Sequence, residues 1–576
     1  MSLSFLGQRW VAAPIKADLE SEDIDGLSPL IHRCLATSPI SGSLGSWLNP
    51  SMSQLLDPYL MKGMEAAVGR LSQAFERGER LRIVTDYDVD GTTSSLILQS
   101  LCKILSPGIA VDYHIPDRFV EGYGFSVQAA QKAADDGIDL ILTADIGVRD
   151  HEAVSLAASL GVDVIICDHH LPAGESVPRD ALVVLCPPQT DCPYPNADLA
   201  ACGVSLKLAQ AMLAQSSRPK GFQIKVLKSM MKIAAIGTVC DVVSLASLEN
   251  RAIVAIGLDQ LRKPMLSHSC GLQALMSVSG IEEGWVTATD IGYQLGPRIN
   301  AAGRLHLATD VIELFQARSI PEARLKAMEI DRFNVERRAI EAKLVEEAMA
   351  SLPDRKPDFI LISGEESDGW HRGVVGIAAA RIRDKTHRPT AVLSISGEQV
   401  RGSVRSTPHV HAVAALDSVS AYLSTYGGHA AAAGFSAAVS DIPAIEAGLN
   451  AHVESLLQGE IPVPEIHWTA QCEVSELSMK LAVDLGRLGP FGKANPKPVL
   501  MLSSVTPRGF RILKDKHLKF KIGDCDALWW SAVNHLEALQ QGPVDIIGRL
   551  EINRFRQRSR LQFIVEDVRQ SVLSSA

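Results

Sequence analysis

The stretch Ile83–Ser95, IVTDYDVDGTTSS, ends an apolar β-branched run in three aspartates at alternate positions, Asp86, Asp88 and Asp90, followed by Gly91 and the start of a helical pattern. Alternate residues of an extended chain point to one side, so this reading gathers three carboxylates at the carboxyl end of a strand. One aspartate would suffice to cap a helix beginning near Thr92, which leaves two unexplained by capping. Three like charges this close repel one another, and a divalent cation neutralises them economically.

Working outward, apolar runs at 81–88, 109–115, 138–145, 162–168 and 181–187 are separated by spacers, the early ones helix-like (92–105 and 126–136). Such runs read as a parallel α/β sheet buried on both faces, whose ligands collect at the carboxyl ends of the strands. Two further strand ends carry the same chemistry. LILTADIGV (140–148) places Asp145 after its run, and VDVIICDHH (162–170) places Asp168, His169 and His170. The segment IAAIGTVCDVV (233–243) adds Asp241. Independent caps do not explain a recurrence at three strand ends. Carboxylate and imidazole donors without clustered thiolates suit Mn²⁺ or Mg²⁺ better than a structural zinc. The donors outnumber what one ion with open positions needs, and two ions roughly 3.5–4 Å apart make a centre for phosphoester hydrolysis. No G-x-x-x-x-G-K-[ST] loop supports a nucleotide-driven motor. His170 stays open between metal ligand, phosphate-facing donor and proton donor to a leaving oxygen.

The chain has 576 residues, enough for three to five domains. We expect a loosely structured lead-in over 1–54, the α/β domain over 55–270 and a helical connector over 271–354, its charged, glycine-free segment 320–352 forming one or two long helices. A second α/β domain follows over 355–455, with the helix-like stretch 373–384 between the runs 359–364 and 390–396, and a small β-barrel over 460–576. With 46% hydrophobic and 21% charged residues the composition is that of a soluble, core-forming protein. Ten cysteines never form C-x-x-C and read as reduced thiols. The first 16 residues lack a secretory leader and no run reaches membrane-spanning length, so the expected location is the cytoplasm, with no membrane partner.

The net charge of −10 argues against non-specific coating of nucleic acid, yet the C-terminal region is locally basic. Arg508, Arg511, Lys514, Lys516, Lys519 and Lys521 are opposed only by Asp515, and RFRQRSR puts Arg554, Arg556, Arg558 and Arg560 at every second position, on one face if the run is a strand. Phe510, Phe520, Trp529, Trp530 and Phe555 are interleaved with them, some as core. A basic groove with aromatic platforms is how OB-folds hold single strands.

Taken together, DYDVDG, the D-x-G of Asp145–Gly147, the DHH of Asp168–His170 and the GTVCDVV segment resemble the DHH phosphoesterase superfamily. The resemblance narrows to the RecJ single-strand-specific exonucleases through IPDRFVEGYGF (115–125), GPRINAAGRL (296–305), GWHRGVVGIAAARI (369–382), RGSVRS (401–406), YGGHAAAAGF (426–435) and LGPFGKANPKP (488–498). It implies a DHH domain, a long helix, a DHH-associated domain and a C-terminal OB-fold. It also implies a two-Mn²⁺ enzyme, with Mg²⁺ as substitute, that removes nucleotides from the 5′ end of single-stranded DNA in repair and recombination. Carried over by position, Asp88, Asp90, Asp145, His169 and Asp241 are the metal ligands, with Asp86 next; His170 shapes the phosphate site and Asp168 orients a histidine. Arg118, Ser403 and Arg405 resemble a pocket for the 5′-terminal phosphate. Arg298, Asn300, Arg304, Gly427, Gly428 and His429 are further substrate contacts, with Arg554, Arg556 and Arg558 on the OB-fold. The family's partners would be single-strand-binding protein and a RecQ-type helicase, and the chain would act as a monomer. Thr85, Cys240 and Ala494 depart from the family's usual residues without removing a ligand. Other readings are a DHH phosphodiesterase for short oligoribonucleotides or cyclic dinucleotides, which would not need the basic β-region, and a non-catalytic single-strand-binding relative, which would lose carboxylates present here.

Overall fold

The computed structural model describes residues 3–16, 27–172, 174, 176–555 and 558–571, so Arg556 lies outside the described residues. A first strand, β1 (Arg9–Ala12), is followed by β2 (Arg80–Thr85), β3 (Ala110–His114), β4 (Leu140–Ala144), β5 (Asp163–Cys167) and β6 (Val183–Leu185), one for each of the five apolar runs. The last five form a sheet in the order β3-β2-β4-β5-β6, every pair parallel. The chain leaves β2 for β3 on one side and returns to β4 on the other. That reversal opens a crevice at the carboxyl ends of β2 and β4, the place where open parallel sheets bind ligands.

Both faces of the sheet are covered, as the unbroken apolar runs require. Leu81, Ile83 and Leu142 pack with Leu98, Leu206 and Met231 of the helices Val89–Leu105, Ala201–Gln215 and Lys220–Cys240. Val84, Ile141 and Ile166 pack with Ala130 and Val154 of the helices Val127–Asp135 and His151–Ser159. Each fully buried aliphatic side chain contributes about 1.5–3 kcal/mol. The region after 270 is helical, ending in the helix Ile320–Ser351.

The chain divides into two units, one of residues 1–303, 307–328 and 465–576 and the other of 304–306 and 329–464. The second unit holds β7 (Ile360–Glu365), β8 (Thr390–Ser396), β9 (Gln399–Arg405), β10 (Leu423–Gly428) and β11 (Ala432–Ala438) in the order β10-β11-β9-β8-β7, with the helix Val375–Thr386 joining the parallel pair β7 and β8. In the first unit, β12 (Glu465–Trp468) is followed by β13 (Ala470–Gln471), β14 (Leu500–Val505), β15 (Arg508–Leu513), β16 (His517–Ile522), β17 (Cys525–Trp529), β18 (Val544–Phe555) and β19 (Arg558–Gln570). The last seven form one sheet in the order β13-β14-β18-β19-β17-β16-β15.

Two expectations about this region need correction. The lead-in is not loose where it is described: β1 pairs in parallel with β12, and Leu30, Ile31, Leu35 and Trp47 share a core with Leu500, Phe520 and Phe563. Short apolar runs among polar residues hid that docking from the sequence. Nor do Arg554, Arg558 and Arg560 share one face. They fall on two antiparallel strands, with Arg554 opposite Ser559 and Phe555 opposite Arg558. Cross-strand partners face the same way, so Arg558 and Arg560 lie on one side and Arg554 on the other. The Arg554 guanidinium stacks 3.2 Å from the centre of the Trp285 ring. Phe520 and Trp529 are core, whereas Trp530 is exposed beside His517. Lys519 and Lys521 of the basic run both pair with Asp526, at 2.9 and 2.5 Å. All ten cysteines are unpaired, and among the described residues no helix is long and apolar enough to cross a membrane.

Candidate metal centre

Strand β2 stops at Thr85, and the chain turns at once into the helix Val89–Leu105. Asp86, Asp88 and Asp90 therefore converge through a turn and a helix start, not through the alternation of an extended strand. Asp88 is the helix N-cap, its Oδ1 accepting from the backbone of Asp90 at 2.8 Å and of Gly91 at 3.1 Å. Capping and clustering are both realised: one oxygen of each of Asp86, Asp88 and Asp145 lies within 4.8 Å of the others. Gly91 is what permits the turn, since a Cβ there would collide with the carbonyl oxygen of Asp86.

Asp145 follows β4 in a left-handed conformation, φ 65°, that a non-glycine residue adopts at some expense and that concentrates at functional sites. Gly147 completes the D-x-G turn, with φ 116° and Thr143 Oγ1 2.5 Å from where a Cβ would be. His169 reaches across, its Nε2 lying 3.3 Å from Asp145, 3.7 Å from Asp241 and 3.9 Å from Asp90. Asp241 terminates the helix Lys220–Cys240. Asp90 also accepts the amides of Ala201 at 2.6 Å and Cys202 at 2.9 Å, which begin the helix Ala201–Gln215.

The second histidine is held differently. Its Nδ1 lies 2.8 Å from Asp168 Oδ1 and its Nε2 3.2 Å from the Tyr123 hydroxyl. Asp168, fully buried, further accepts the amides of His169 at 2.7 Å, His170 at 3.2 Å and Val148 at 3.1 Å. Burial alone would raise the Asp168 carboxyl, but the His170 hydrogen bond, the charges of both imidazoles and the Val148 amide together outweigh it and hold the pKa at about 2. Burial opposes protonation of His170, but the hydrogen bond to Asp168 and the charges of Asp168 and Asp90 together raise its pKa. His169 is lowered, chiefly by burial, and so is kept neutral, as a ligand must be.

The residues fit divalent cations. His169 Nε2 and Asp86 Oδ1 are buried with no hydrogen-bond partner, which few native polar atoms are. Burial, reinforced by the neighbouring carboxylates, pushes Asp86, Asp90 and Asp145 upward, and Asp241 to about 9. Oxygen-rich donors with one imidazole suit Mn²⁺ or Mg²⁺.

Around the centre, the Arg118 guanidinium lies 4.4 Å from the Tyr87 ring centre, and Tyr123 packs edge-on against Tyr87 and the ring of His170. Arg298 and Asn300 sit on the helix Gly296–Leu305, where Arg298 donates to the Gln294 carbonyl at 2.8 Å. In the second unit Arg304 donates to the Gly373 carbonyl at 3.3 Å. Also there, Arg405 Nη1 donates to Ser403 Oγ at 3.0 Å, and both side chains lie against Gly376 in the first turn of the helix Val375–Thr386, a setting suited to phosphate oxygens. Gly427 aligns through Gly434 with Ser403 across three strands, and a Cβ at Gly427 would meet only open space. Gly428 and His429 continue that exposed end of β10. Tyr87 and Tyr123 were not singled out from the sequence; the signal for Tyr123 was its place between two glycines, both with positive φ. The amides of Ala201 and Cys202, being backbone, left no signal.

A model of the DHH family, N-terminal domain, matches residues 80–238, one of the DHHA1 domain residues 358–455, and one of the RecJ OB domain residues 469–567. The single-stranded-DNA-specific exonuclease RecJ of Escherichia coli (strain K12) is 32% identical over 96% of this chain and 97% of its own length. The protein of the same name from Bacillus subtilis (strain 168) is 34% identical over 90% of this chain, which spans 65% of that relative's length. The crystal structure of RecJ in complex with Mn²⁺ from Thermus thermophilus aligns with a TM-score of 0.79 at 27% identity, covering 98% of this chain and 79% of that one.

Proposed function

The chain belongs to the RecJ family of single-stranded-DNA-specific exonucleases, and from that premise we propose that it hydrolyses single-stranded DNA from the 5′ end, releasing mononucleotides with two Mn²⁺ ions, or Mg²⁺ in their place. The observation that carries this reading is the buried pair of atoms without a hydrogen bond, His169 Nε2 and Asp86 Oδ1, within a shell of mutually repelling carboxylates. The chemistry that bound cations supply is neutralisation of phosphate charge and acidification of water.

Asp86, Asp88, Asp90, Asp145, His169 and Asp241 hold the ions. Asp168 fixes the turn that carries both histidines. His170, hydrogen-bonded to Asp168 and lined by Tyr123, faces the scissile phosphate as a donor. Arg118, Arg298 and Asn300 in the first unit and Arg304, Ser403, Arg405, Gly427, Gly428 and His429 in the second bind phosphate or the strand's 5′ end, and Arg554, Arg556 and Arg558 with the basic strands β15 and β16 bind the strand beyond it. The enzyme works in repair and recombination as a cytoplasmic monomer, on strands exposed by a RecQ-type helicase and single-strand-binding protein. Purified protein with Mn²⁺ is expected to release mononucleotides from a 5′-phosphorylated single strand and not from the matching blunt duplex. Chromatography of the products checks this, and preferred cleavage of two- to five-nucleotide RNA would refute it.

A further inference from the structure

Behind the carboxylates two consecutive residues of the helix Leu248–Leu261, Asn250 and Arg251, have no solvent exposure. Asn250 Nδ2 donates to the carbonyl of Asp198 at 2.7 Å and to that of Ser244 at 2.9 Å. Asp198 lies just ahead of Ala201 and Cys202, whose amides hold Asp90, and Ser244 lies just beyond Asp241. One carboxamide thus ties together the two segments that place Asp90 and Asp241 at 3.9 and 3.7 Å from His169 Nε2. Its own oxygen accepts from Asn196 Nδ2 at 3.1 Å, and Asn196 in turn donates to Glu249, which pairs with the buried Lys207 at 2.9 Å. The network is satisfied at each of these contacts, which rigidifies what it touches.

The segment after Asp241 needs such support. Val242 has φ 59°, an outlier for a β-branched side chain that persists only where the surroundings impose it. Besides Asn250, the support comes from the OB-side segment: the amide of Leu245 donates to the carbonyl of Lys493 at 2.9 Å, and Leu245 packs on Gly492. Arg251 fastens the helix to that segment. Its guanidinium donates to the carbonyls of Leu488 at 3.3 Å, Gly489 at 2.9 Å and Trp47 at 3.1 Å and stacks 3.7 Å from the Trp47 ring centre.

We propose that Asn250 and Arg251 are positioning residues that make divalent-cation binding at the Asp90, His169 and Asp241 corner depend on the docked segment Leu488–Asn495, an inference that rests on the metal-centre reading above. The partners of ligand-bearing groups commonly govern metal affinity by about 10–100-fold. Neither residue touches a ligand side chain, so both act through the backbone that carries the ligands.

The test is Mn²⁺ binding by isothermal titration calorimetry on the full chain, with hydrogen exchange of residues 241–247 and 488–495. Asn250→Ala and the volume-keeping Asn250→Leu are expected to weaken Mn²⁺ binding about tenfold or more and to speed exchange in 241–247. Arg251→Leu is expected to speed exchange in both segments and to weaken Mn²⁺ binding as well. Leu71→Ala, a core truncation in the helix Met64–Arg77, should lower the melting temperature and leave Mn²⁺ affinity unchanged. Parent-like Mn²⁺ affinity in folded Asn250 and Arg251 variants overturns the positioning role alone. A parent that binds no Mn²⁺ overturns this inference and the metal centre together.

Discussion

Asp145→Asn is expected to abolish exonuclease activity, by roughly 10³-fold or more, while raising the melting temperature of the metal-free protein. The loss follows from position: Asp145 is common to the Asp86–Asp88 carboxylate group and to the His169 contact, so one substitution removes a donor from both sides of the centre. The gain follows from electrostatics. Burial first, then Asp88, Asp90, Asp86 and Asp241, place the Asp145 pKa well above the ordinary carboxylate range. A carboxyl whose pKa is raised on folding costs stability as pH rises above its unfolded value, so at neutral pH Asp145 opposes folding until a cation offsets it. Asparagine carries no such charge. The variant should therefore melt above the metal-free parent and gain less from added Mn²⁺, since ligand stabilisation scales with affinity. Activity within tenfold of the parent would contradict the assignment.

Asp168→Ala is expected to lower both activity and stability. This carboxylate accepts three backbone amides and the His170 ring, and all four donors lose their partner in the variant. Activity should fall about 10–100-fold, because the turn bearing His169 and the orientation of His170 both depend on it. Its pKa of about 2, against an ordinary value near 3.8, corresponds to about 2 kcal/mol of stability. A depressed folded pKa means that this contribution is complete above the unfolded value and disappears as pH falls toward the folded one. The parent should thus melt well above the variant at pH 7, and the gap should narrow below about pH 4. Two buried aspartates, one among carboxylates and one among donors, are in this way expected to change stability in opposite directions.

The five strands of the parallel sheet and the aspartates and histidines at their ends were legible because apolar runs and carboxylates announce themselves by type and spacing. The Asp86–Asp90 cluster does not arise from alternation, which holds only while the chain stays extended, because β2 ends at Thr85. The same limit holds at Arg554–Arg560, where Arg554 belongs to one strand and Arg558 and Arg560 to its antiparallel partner. The docking of Trp47 and the helix Pro29–Ala36 onto the β-rich core depends on contacts across more than 400 residues, which no local pattern records. Asn250 and Arg251 went unremarked for a related reason: their partners are backbone carbonyls, which carry no residue identity.

We propose that Asp86, Asp88, Asp90, Asp145, His169 and Asp241 form one centre for two cations. Anomalous diffraction at the manganese edge from crystals soaked in Mn²⁺ tests it most directly. We predict two manganese peaks among these six side chains, roughly 3.5–4 Å apart, with His169 Nε2 and Asp86 Oδ1 both ligated. A single peak, no peak, or ions bound elsewhere with those two atoms left unligated would contradict it.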